Sequence, residues 1–131
     1  MGGAYADCTN LISAACGDKV VNMSRAYQDP YGGGAYQNCT NLKYAVCGDN
    51  VKYMWQTYGG CVNLVRAVCG PNVINFGSAY RGCTNLTTSV CGPNVQDFSS
   101  TYCDCTNLTS AVCENSVTNM YQTYSNCIKL K

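Results

Sequence analysis

Apolar residues recur at fixed places in a unit of 22 residues. Counted from a leading cysteine at position 0, leucine stands at position 3 (Leu11, Leu42, Leu64, Leu86, Leu108, Leu130) and a small residue at position 6 (Ala14, Ala45, Ala67, Ser89, Ala111). A second cysteine follows at position 8, valine at 12 (Val20, Val51, Val73, Val95, Val117), methionine or phenylalanine at 15 (Met23, Met54, Phe76, Phe98, Met120) and tyrosine at 19 (Tyr27, Tyr58, Tyr80, Tyr102, Tyr124). The leading cysteines Cys39, Cys61, Cys83, Cys105 and Cys127 keep the period without a gap, and Cys8 joins them once a nine-residue insertion within 26–38 is allowed. There "AYQD" and "AYQN" duplicate the closing turn of the unit around Pro30 and Gly32 to Gly34. A fixed period of this size marks a solenoid or a propeller, and 22 residues are too few for a propeller blade or a pair of helices.

Positions 6 and 8 differ by two, the side-chain period of a strand, which predicts one short strand per unit around "AVC" with both residues on the inner face. The Gly-Pro-Asn or Gly-Asp-Asn that follows is turn chemistry. Positions 12, 15 and 19 are spaced by three and four, which predicts irregular or helical arcs on the far side. Strand, turn and arc together make one coil. A coil cannot bury its apolar stripe alone, but stacked coils turn each position into a continuous ladder. The fold class expected is an α/β repeat solenoid of about five and a half coils with a parallel sheet, forming one domain over 1–131, its units starting near 8, 39, 61, 83, 105 and 127.

Charged residues make up only 11% of the chain, eight basic against seven acidic, so nothing suggests nucleic acid or an anionic membrane as partner. No stretch reaches the roughly 18 consecutive apolar residues of a membrane span. Met1 is followed at once by Gly-Gly-Ala-Tyr, without the basic and apolar regions of a secretory signal.

The pattern Cys-x-x-Leu, a buried residue at position 8, valine at 12, an apolar residue at 15 and a closing Ala-Tyr-x-x-Cys or Thr-Tyr-x-x-Cys resembles the BspA-type, or Treponema-type, leucine-rich repeat. Three features depart from that family: tyrosine stands for its usual phenylalanine, cysteine for isoleucine or valine at position 8, and the period is slightly shorter. The resemblance implies a leucine-rich-repeat solenoid, a non-enzymatic role in adhesion, partner binding or surface structure, and an extracellular, cell-surface or virion-surface location.

Twelve cysteines approach the density of a disulfide scaffold. Two interior ladders are expected, Cys8, Cys39, Cys61, Cys83, Cys105 and Cys127 at position 0 and Cys16, Cys47, Cys69, Cys91 and Cys113 at position 8. They are read as mostly free thiols acting as small hydrophobes, with disulfides within or between coils as the alternative. A zinc site lacks both paired Cys-x-x-Cys spacing and any histidine. Cys103, at position 20, is expected on the loop side as an accessible thiol. Without histidine to serve as base, and with seven scattered acids, the chain is read as not an enzyme, and no cofactor is expected.

Position 7, pointing outward, carries Ala15, Val46, Val68, Val90 and Val112, and position 5 varies as Ser13, Tyr44, Arg66, Thr88 and Ser110. Val46, Val68, Val90, Val112, Tyr44 and Arg66 form the candidate interaction face, although valine also suits strands for their own sake. The Asn-x-Ser/Thr matches at Asn22, Asn38, Asn85 and Asn107 are not read as glycosylation signals; two of them come with the repeated "TNLT".

Solenoids seal their ends with polar caps. Here "GGAYADC" reads as the arc end of a coil and "CIKLK" as the start of one, complementary fragments that together still lack a strand. The expectation is end-to-end self-stacking into a filament. The alternative is an adhesion or receptor-binding module of a bacterial surface or phage fibre protein, with a protein or glycan ligand.

Overall fold

Five three-residue strands, β1 (Ser13–Ala15), β2 (Tyr44–Val46), β3 (Arg66–Val68), β4 (Thr88–Val90) and β5 (Ser110–Val112), pair in chain order into one parallel sheet. The computed structural model describes residues 1–24 and 33–131. The register is uniform: Ala14, Ala45, Ala67, Ser89 and Ala111 lie side by side, so equivalent positions of successive units stack. The strands occupy positions 5 to 7, one residue earlier than "AVC" suggests, with the small central residue inward and its neighbours outward. A small residue is needed there because the arc packs directly beneath the sheet.

Of the irregular or helical arcs expected, the irregular form is found: the arcs are built of turns, and no helix occurs among the described residues. Each complete arc makes two successive turns, as in Thr57 N–H to the Met54 carbonyl (3.0 Å) and Gly59 N–H to the Gln56 carbonyl (3.2 Å). The alternate N–H groups reach the next coil instead: Met54 to Asn75, Gln56 to Gly77, Tyr58 to Ala79 and Gly60 to Arg81, at 2.8 to 3.1 Å. A helix would consume all these donors internally and leave nothing to join the coils. Left-handed backbone enforces the choice. Position 17 has φ of 52 to 56° at Gln56, Ser78, Ser100 and Gln122, and position 21 has φ of 58 to 75° at Asn38, Gly60, Gly82, Asp104 and Asn126. Such angles end a right-handed helix. The spacing by three and four therefore records consecutive turns.

Inside, Leu42, Leu64, Leu86 and Leu108, with Val51, Val73 and Val95, form buried columns, and Met23, Met54, Phe76 and Phe98 form another. Tyr5, Tyr36, Tyr58, Tyr80, Tyr102 and Tyr124 stack with ring centroids 5.2 to 5.9 Å apart and planes within 17° of parallel. Each such contact contributes about 0.5–1.5 kcal/mol beyond burial. Tyr36 fills the tyrosine column between Tyr5 and Tyr58. Tyr27, Pro30, Gly32 and residues 26–32 of the segment 26–38 that holds the insertion lie outside the described residues.

Polar side chains fasten the columns. Thr57, Thr101 and Thr123 hydroxyls donate to the carbonyls of Met23, Phe76 and Phe98 in the preceding coil, at 2.9 to 3.2 Å. Asn50, Asn72 and Asn94 donate to the carbonyls of Asp18, Asp49 and Pro71 at 2.8 to 3.1 Å and bind the turns together. At the strand exit the coils approach so closely that a Cβ on Gly70 would lie 2.5 Å from the Gly48 carbonyl oxygen, which makes glycine obligatory.

The tyrosine hydroxyls cross the core toward the small strand residue of their own coil. Tyr102 meets Ser89 at 2.9 Å. Tyr58 and Tyr80 face coils that carry Ala45 and Ala67 at that place, and their hydroxyls are buried without a partner. Ser89→Ala should therefore destabilise the protein by about 1–3 kcal/mol, and Ala67→Ser, which offers Tyr80 the same partner, should stabilise it by about 0.5–1.5 kcal/mol. Urea unfolding midpoints measure both; an unmoved Ser89→Ala midpoint would show that the hydroxyl pair contributes nothing.

Candidate interaction surfaces

The open face of the sheet carries Val46, Val68, Val90 and Val112 at equivalent places on adjacent strands, roughly 4.8 Å apart. They are 44 to 64% exposed, with Tyr44 and Arg66 exposed beside them. The uniform register makes this a straight apolar stripe. Tyr53 and Tyr121 are exposed on the arc side, and Trp55 is half-buried, lying over Gly77, where a Cβ would come within 2.9 Å of its Cδ1.

The end coils present what inner coils bury. Met120 at position 15 is 45% exposed, whereas Met23, Met54, Phe76 and Phe98 in the same column are sealed. Tyr5 is 44% exposed against almost none for Tyr58 and Tyr80. Among the described residues, the N–H groups of Gln122, Tyr124 and Asn126 have no backbone partner, nor do the carbonyls of Gly2, Ala4 and Ala6. These groups hold the positions that pair between neighbouring coils elsewhere.

All twelve cysteines are free thiols. Cys39, Cys61, Cys83 and Cys105 are buried, and each donates to the carbonyl of a tyrosine in the preceding coil: Tyr5, Tyr36, Tyr58 and Tyr80 in turn, at 3.0 to 3.1 Å. Cys127 does the same to Tyr102 from a half-buried position. In the second ladder Cys47 and Cys91 are buried while Cys16 and Cys69 are half-buried. Two ladder members depart from the interior placement: Cys8 and Cys113 are exposed, because they lie in end coils that no further coil covers. Cys103 is the reverse case. It is only 9% exposed, since Arg81 and Ser125 stand beside it in the neighbouring coils, and its thiol donates to Asp104 at 3.4 Å.

Burial pushes Cys47, Cys61, Cys69 and Cys105 up to about 12, and Cys83 also well above the ordinary thiol value. A nucleophilic cysteine needs the opposite shift. Asp104 is held below the ordinary carboxylate value by hydrogen bonds from Asn126 and Cys103. Among the described residues no cluster of three or more metal-ligating side chains occurs, and no helix is long and apolar enough to cross a membrane.

The family model for the BspA type leucine-rich repeat region matches residues 30–131 in six copies. The chain belongs to this family. Comparison with curated proteins and with solved structures finds no match. Several determinants of this BspA-type solenoid escape a pattern reading built on apolar residues. The Asn, Asp or Gly before each leading cysteine, which holds the left-handed turn, and the threonine at position 18 were both visible as periodic polar residues.

Two outcomes follow from the thiols and phenols. In native, unassembled protein a soluble thiol reagent should modify Cys8 and Cys113 rapidly, and Cys39, Cys61, Cys83 and Cys105 only on unfolding, as peptide mass mapping can show. The raised groups hold protons in the folded state that the unfolded chain releases, so their contribution is complete below pH 9 and declines as pH rises toward 12. Tyr36, raised by burial to about 12, acts in the same direction. Tyrosinate absorbance and circular dichroism should thus change together in one cooperative alkaline step.

Proposed function

We propose that this BspA-type solenoid is a non-enzymatic structural module of an extracellular, cell or virion surface, assembled by coil-on-coil stacking of its ends into a filament. The observation that carries the reading is the complementarity of the end coils. Unpaired N–H groups of Gln122, Tyr124 and Asn126 at one end match unpaired carbonyls of Gly2, Ala4 and Ala6 at the other in the same alternation that joins inner coils. Stacking a second copy there would continue the tyrosine column from Tyr124 to Tyr5 and cover Met120. Such a contact is heterologous and propagates. Sparse charge on the chain offers little repulsion against it.

A second reading is favoured by the exposed valine stripe with Tyr44 and Arg66, residue types suited to a protein interface. Under it the chain is an adhesion or receptor-binding module whose partner lies on the sheet.

Electron microscopy of the purified protein tests both. Uniform unbranched filaments are expected, persisting in reductant because packing makes the joint, and Met120→Glu, which places a charge at the end of the column, should yield discrete particles with a nearly unchanged melting temperature. Discrete wild-type particles at all concentrations would overturn self-stacking and leave the sheet face as the functional surface.

A further inference from the structure

The side-chain columns at positions 20 and 21 run along the outside of the arcs as Gln37, Gly59, Arg81, Cys103, Ser125 and Asn38, Gly60, Gly82, Asp104, Asn126. Three glycines fall together, and the columns open there into a recess of about 320 Å³. Backbone geometry does not account for all three. Gly60 and Gly82 adopt φ of 75 and 74°, but Asn38, Asp104 and Asn126 hold the same left-handed turn in other coils at 58 to 65°. Gly59 is not left-handed, and a Cβ there would sit in ordinary contact, 3.6 to 3.9 Å, with its surroundings. A side chain would fit at 59; its absence leaves the space open.

The surroundings of that open space have a definite chemistry. The three atoms nearest the missing Cβ are carbonyl oxygens, of Gln56, Arg81 and Ser78; each accepts one backbone N–H, from Gly59, Gly60 and Arg81 in turn, and keeps a second lone pair for a ligand hydroxyl. Gln56 lines the same recess, and its Oε1 is buried without any hydrogen-bond partner. Asn38 donates through its amide nitrogen to Asp7 and turns its Oδ1 toward Gly60, where a Cβ would lie 2.4 Å away. Asp104, kept ionised by Asn126 and Cys103, and Arg81 complete the rim. An anion would meet a floor of carbonyl oxygens and a carboxylate. A bare cation would meet the Arg81 guanidinium. What fits is an uncharged ligand with several hydroxyl donors for the floor and acceptors for Arg81, of modest size, since the recess is at the small end of the roughly 300–1,000 Å³ typical of ligand sites.

A second recess of similar volume, about 340 Å³ beside Lys52 and Ile74, is lined by no glycine and by no buried acceptor lacking a partner; its Asn72, Asn94 and Ser116 side chains donate to carbonyls of the preceding coil.

We propose that the glycine-floored recess at Gly59, Gly60 and Gly82 is a binding subsite for one neutral sugar ring of a glycan. No aromatic face lines it, so a single sugar binds weakly, on the order of millimolar, and useful retention comes from many copies acting together. The subsite does not depend on filament formation or on the valine stripe.

Labelled protein clustered on beads, so that many copies act together whether or not it forms filaments, is applied to a surface array of neutral, sialylated and sulfated saccharides as the test. Retention on at least one neutral saccharide is expected, resisting high salt and competed by millimolar free sugar of the same kind. Gly59→Val, which fills the recess, and Arg81→Ala, which removes an exposed donor without touching the core, should each reduce retention at least tenfold. Val68→Lys on the sheet face should leave it unchanged. Absence of retention on every neutral saccharide, retention only on anionic ones with loss in salt, or full retention by Gly59→Val with Arg81→Ala also unaffected, would overturn the proposal. Should Gly59→Val fail to fold, Arg81→Ala decides alone. Filaments without sugar retention would leave the structural role standing, and retention by discrete particles would leave the subsite standing.

Discussion

Every second N–H of the arc is committed to the coil below, and the rest of the architecture follows from that commitment. The donors left over close the turns, so the arc cannot become a helix. Left-handed residues at two places per arc supply the reversals the alternation demands. Side chains then repeat with the backbone, and columns of leucine, valine, tyrosine and cysteine are the result rather than the cause of the stacking. In most globular folds the core selects the backbone path; here a fixed path decides which residues meet.

That order explains what could be read in advance. The period, the inward position 6 and the outward valines follow from residues such as Leu64, Ala67 and Val68, whose spacing reflects burial directly. The arc stays open between irregular and helical in the sequence because spacing by three and four, as at Val73, Phe76 and Tyr80, arises from paired turns as well as from a helix. Only the polar residues distinguish the two, and Gly82 and Asp104 carry that information in their backbone angles. The tyrosine column likewise passes through Tyr36 of the duplicated segments, which its stacking contacts show and local pattern does not. Exposure was hardest to foresee: Cys103 is covered and Cys113 uncovered by the coils beside them, not by their own place in the unit.

The thiols and phenols belong to the scaffold. Cysteine at position 0 is small enough for the turn and donates to a tyrosine carbonyl whose other hydrogen bond closes that turn. Burial removes the reactivity for which cysteine is otherwise selected. The BspA-type repeat is thus realised with a core in which tyrosine rings stack nearly parallel from coil to coil and one strand hydroxyl, that of Ser89, finds a phenol. Chemistry available for recognition is displaced outward, to the stripe, the ends and the recess between arcs.

The uniform register between strands has a consequence for the chain's history. Because each unit bonds to the units directly before and after it, the stack behaves as a one-dimensional lattice in which the boundaries between the units from 39 to 127 are equivalent. A gene rearrangement that removes or adds 22 codons anywhere within it would rejoin the same columns and leave every surviving contact in phase. The molecule can therefore change length in whole coils without being redesigned, and the surface feature that a coil carries can be moved along the stack with that coil.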